Sequence, residues 1–195
     1  KTAEDAIAAA ERLPVGVLDR NDIDFARAVV DEAAGRATPA LAAYEKLADS
    51  DSRPLAASAS FRAVRLGRKT ARMPAEDAIR RLETLAVTWR GDDVELGTLG
   101  ELVDLYSQTK RWRDMLTTAR QANTRFATWD ETRRIYETAT GWFEAIFLGR
   151  EGTSMEPVEF LALYYDYKEF TPVGRRGDEI VRRLADRLVE IDLLD

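Results

Sequence analysis

Three segments of this 195-residue chain carry the same apolar face. Ala40, Tyr44 and Leu47 fall at i, i+4, i+7, as do Ala78, Leu82 and Leu85, and again Met115, Ala119 and Ala122. The triads begin at 40, 78 and 115, so they recur at intervals of 38 and 37 residues. That spacing is one face of an α-helix, and each such segment follows an earlier helical one. A helix pair recurring at this period predicts a stacked α-helical repeat in which each pair buries its apolar face only against its neighbours.

The remaining pattern is helical throughout. Helices are expected at about 3–12, 22–35, 39–49, 54–68, 75–89, 93–108, 112–125, 130–148, 156–169 and 176–191, and no stretch alternates with period two for long enough to predict a strand. Thr2 with Asp5 and Thr128 with Glu131 read as capping boxes. Thr38 before Pro39 reads as a capping hydroxyl ahead of a first-turn proline. Pro74-Ala75-Glu76-Asp77 opens a helix with proline and two acids at the positive end of its dipole. Near 153–157, Thr153 with Glu156 predicts one register and Pro157 another.

Composition excludes several chemistries. The chain has no cysteine and no histidine, which removes disulfides, thiolate nucleophiles, His-based triads and the usual zinc sites. A net charge of −6 opposes nucleic-acid binding. No apolar run reaches the roughly 18 residues of a membrane span; the most apolar, Trp142 to Leu148, is broken by Glu144. Acid pairs such as Asp92-Asp93 sit in turns, and Gly97-Thr98-Leu99-Gly100 lies on a helix and forms no phosphate cradle. No catalytic, cofactor or metal residue is expected. Arg outnumbers Lys 24 to 5, the codon bias of a GC-rich bacterium.

In the third pair, Leu99, Leu102 and Tyr106 on the first helix precede Trp112 and Ala122 on the second. This resembles the tetratricopeptide repeat, with Val103 and Met115 in place of small residues and no closing proline. The first pair resembles it through Gly35, Ala40, Tyr44 and Leu47. The resemblance spans about 21–128 as three degenerate repeats (21–54, 55–92, 93–128), followed by a divergent pair at 130–169 and an unpaired helix at 176–191. It implies an all-α, right-handed superhelix of antiparallel pairs, nine to ten helices without a β-sheet, forming a single domain that is a slice of a longer array. It further implies a non-catalytic protein-interaction scaffold, recognising a protein or peptide through first helices on a concave face. The texture of Ala40–Ala48 is also similar to envelope-assembly proteins of this family, which favours the periplasm or envelope. The Lys, Asn and Arg clamp by which some members grip peptide carboxylates does not carry over, because the matching region reads Gly97, Gly100, Glu101 and Asp104.

Three sets of residues stand as candidate partner contacts. Arg62, Arg65, Lys69 and Arg72 recur at i, i+3, i+7, i+10; a basic stripe of this kind is either a solvated face or a site for an acidic partner. Tyr106 lies on a first helix. Phe160, Tyr164 and Tyr167 share one face, with Tyr165 beside them. Three tyrosines within four positions cannot all point inward, so at least one of Tyr164, Tyr165 and Tyr167 is expected to face solvent or a groove. The other readings are a structural spacer that self-associates through apolar ends at 3–12 and 180–194, and a small-ligand binder.

Overall fold

A computed structural model describes residues 2–10 and 20–190. These form ten α-helices, with no strand among the described residues: α1 (Ala3–Ala10), α2 (Arg20–Ala33), α3 (Ala37–Leu47), α4 (Arg53–Lys69), α5 (Ala75–Thr88), α6 (Asp93–Gln108), α7 (Trp112–Arg125), α8 (Asp130–Leu148), α9 (Pro157–Tyr167) and α10 (Arg175–Glu190). A single 3₁₀ turn, Lys168–Phe170, extends α9. Predicted and observed bounds agree to within two residues. The predicted helical positions 11 and 12, and the apolar Ile191, Leu193 and Leu194, lie outside the described residues.

The nine residues of the recurring triads are all buried, none more than 7 % exposed. The chain divides into two compact units, Lys1–Leu102 and Val103–Asp195. In the first, Ala28, Ala40, Tyr44, Ala63 and Leu66 join α2, α3 and α4 into one cluster. Ala57, Leu85 and Val94 do the same for α4, α5 and the start of α6. Alanines at the crossings let the helix axes approach closely. Here α4 packs on α3 and also on α2, and in the second unit α10 packs on both α9 and α8. Each of these first helices therefore touches both helices of the preceding pair, the packing expected of stacked helix pairs. At Gly97 in α6 a Cβ would stand 2.6 Å from the Phe61 ring on α4, so the missing side chain is what admits that ring.

The turns inside the pairs also repeat. Gly35, Ala71 and Lys110 follow α2, α4 and α6 in the left-handed region, at φ 77°, 56° and 58°. Each closes the same pair of hydrogen bonds. The amide of the left-handed residue donates to a carbonyl three back (Gly35 to Glu32, Ala71 to Arg68, Lys110 to Ser107), and the next amide to a carbonyl five back (Arg36 to Asp31, Arg72 to Gly67, Arg111 to Tyr106). This is the Schellman closure of a helix C-terminus, normally built on glycine. Only the first turn has glycine; the others hold a Cβ in a conformation that costs roughly 1–2 kcal/mol. After subtracting the extra unfolded-state freedom of glycine, Ala71→Gly and Lys110→Gly are each expected to stabilise by about 0.5–1 kcal/mol. The check is a rise of a few degrees in the thermal midpoint; an unchanged or lower midpoint refutes it.

Helix starts were less regular than the capping signals predict. The Thr2–Asp5 box forms, with Asp5 accepting from the Thr2 amide at 3.0 Å and the Thr2 hydroxyl accepting from the Asp5 amide at 3.2 Å. The bond from the Thr2 amide is the main cause of a lowered Asp5 pKa. By contrast, α3 begins at Ala37, one residue ahead of the expected cap, and the Thr38 hydroxyl instead accepts from Arg72. Likewise α8 is preceded by Trp129 and not Thr128, and α9 adopts the register set by Pro157.

Candidate partner-binding surface

Arg62, Arg65 and Lys69 lie on α4, but Arg72 does not continue their face, because the left-handed Ala71 turns the chain away after Lys69. Arg65, Lys69 and Arg72 are exposed and Arg62 is partly buried, yet three of the four have protein partners. Arg62 pairs with Glu32 of α2 at 3.0 Å and stands over the Phe25 and Tyr44 rings. Arg65 pairs with Glu101 of α6 at 2.9 Å and covers the Phe61 ring. Arg72 donates to Thr38 at 2.8 Å, and Lys69 is exposed. Arg62 and Arg65 thus form a solvent-accessible seam between successive first helices. Glu32 anchors it, accepting from Arg62 and, at 2.7 Å, from the Tyr44 hydroxyl. Burial and that bond to a carboxylate push the Tyr44 pKa above its ordinary value.

The tyrosines separate by helix face. Tyr106 is 5 % exposed, with the Arg111 guanidinium 4.5 Å from its ring centroid. Tyr167 is 6 % exposed; its hydroxyl donates to the Arg113 carbonyl at 3.2 Å and lies 2.7 Å from the Thr117 hydroxyl. Tyr164 is half-buried among Phe143, Phe147 and Tyr165. Neither Tyr106 nor Tyr167 presents its ring to solvent; Phe160, Tyr164 and Tyr167 occupy on α9 the register of Ala40, Tyr44 and Leu47 on α3. Tyr165 falls outside that register and is 66 % exposed.

Sequence reasoning missed a further set of cross-links between second helices. Glu45 of α3 accepts two bonds from Arg81 of α5, at 2.7 and 2.9 Å. Arg113 of α7 pairs with Asp166 of α9 at 2.6 Å, and Arg120 pairs with Glu169 at 2.5 Å while donating to the Asp166 carbonyl. The Asp166 bond raises the Arg113 pKa. Glu45 and Arg120 share one register position, five residues beyond Ala40 and Met115.

Surface depressions lie on this second-helix side in the first unit. Two of them, of about 370 and 540 Å³, share Glu45, Arg80 and Arg81 between α3 and α5. Their charges are mostly spent on each other, Arg81 on Glu45 and Arg80 on Asp77. In the second unit a cleft of about 240 Å³ is lined by Ile146, Phe147, Phe160, Arg183 and Arg187. Its arginines donate to carbonyls, Arg183 to Leu148 at 2.7 Å and Arg187 to Met155 at 2.9 Å. They thereby fasten the end of α8 and the loop that follows it. No helix among the described residues is long and apolar enough to cross a membrane.

Compared with protein-family models, curated proteins and solved structures, the chain matches none.

Proposed function

We propose that this chain is a non-catalytic protein-interaction scaffold built from degenerate tetratricopeptide-like repeats, of bacterial origin and working in envelope assembly. The observation that carries the reading is the recurrence of one buried triad and one left-handed turn, pair after pair. Stacked pairs of this kind extend a surface and do not enclose a pocket. Conserving internal packing while varying the exposed positions of successive second helices is how such arrays acquire a partner. Glu45, Arg120 and Tyr165 are three such variants of one position.

The test is capture by the whole chain of chemically cross-linked partners from a native envelope extract, followed by native mass spectrometry of the purified complex. A saturable complex of defined stoichiometry is expected. Heterogeneous, substoichiometric capture overturns the scaffold. A second reading, a self-associating spacer, is favoured by Val181 and Val189, which stand 52 % and 61 % exposed on α10. It predicts a concentration-dependent mass in sedimentation equilibrium that Val181→Glu abolishes.

A further inference from the structure

We draw no further inference here: the strongest candidate, the cleft between the end of α8, the start of α9 and α10, carries none, because Ile146, Phe147 and Phe160 on its floor are at most 5 % exposed, its Arg183 and Arg187 are held by the Leu148 and Met155 carbonyls, and nothing in the structure shows what would occupy it.

Discussion

Phe143→Ala is expected to destabilise the second unit by about 3–5 kcal/mol, the range for deleting a fully buried aromatic ring. Phe143 is 0 % exposed on α8. Its ring centroid lies 4.5 Å from Phe147, 6.3 Å from Tyr164 and 6.4 Å from Phe170, so it joins α8, α9 and the 3₁₀ turn in one cluster. Phe147 extends that cluster to Phe160 at 4.6 Å. Removing the central ring leaves a cavity whose walls are other rings, which cannot collapse into it without leaving their rotamers. Against a total of roughly 5–15 kcal/mol for a domain, the loss is a large fraction. Urea unfolding should show a lower midpoint with an unchanged slope, and near-ultraviolet circular dichroism should lose intensity before the helical signal does. Phe143→Leu, which keeps most of the volume, should cost less than about 1.5 kcal/mol. Equal losses for the two variants would mean that ring packing is not what holds these helices.

This aromatic cluster also explains why the repeat fades from view in the sequence. In the first three pairs the buried triad is made of small or aliphatic residues with a single Tyr44. In α9 the register persists, but Phe160, Tyr164 and Tyr167 fill it, and the residues facing them on α8 are larger to match. Helix bounds were legible because hydrophobic period and turn residues agree locally along most of the chain. The failure at Thr38 has a local cause. A capping hydroxyl competes with the path of the preceding turn, and the left-handed Gly35 followed by Arg36 sets where α3 begins. That dipeptide is itself a repeat signal: Gly35-Arg36, Ala71-Arg72 and Lys110-Arg111 stand at the same point of successive pairs.

The basic stripe shows the limit of reading a face from spacing. The i, i+3, i+7 pattern correctly puts Arg62, Arg65 and Lys69 on one side of α4, yet the partners that decide its role, Glu32 and Glu101, are 30 and 36 residues away in sequence. Only the packing of α4 between neighbouring first helices tells a seam from a solvated face. That at least one of Tyr164, Tyr165 and Tyr167 faces solvent, by contrast, followed from geometry on one helix, and the exposed one is Tyr165.

The polar node at Tyr44 gives the largest expected effect in the first unit. Tyr44 is 0 % exposed, and its hydroxyl donates to Glu32, which also receives Arg62. Tyr44→Ala removes the ring that packs against Phe25, at 5.8 Å between centroids, and should cost about 3–5 kcal/mol. Tyr44→Phe keeps the ring and removes one hydrogen bond to a charged acceptor, for about 1.5–3 kcal/mol. The second variant also isolates a pH effect whose sign is fixed by linkage. Burial first, and then the bond to the Glu32 carboxylate, favour the neutral phenol, so the folded-state pKa lies above the ordinary tyrosine value of 10.0. The stability this contributes is complete below about pH 10, where the unfolded phenol is protonated too. Above that, the unfolded chain releases the proton and the folded one retains it, and the contribution is lost as pH rises toward the folded pKa. Wild type and Tyr44→Phe should therefore differ most at neutral pH and converge in urea titrations taken at pH 9, 10 and 11. A gap that stays constant over that range would show that the phenol titrates alike in both states, and that Glu32 does not hold its proton.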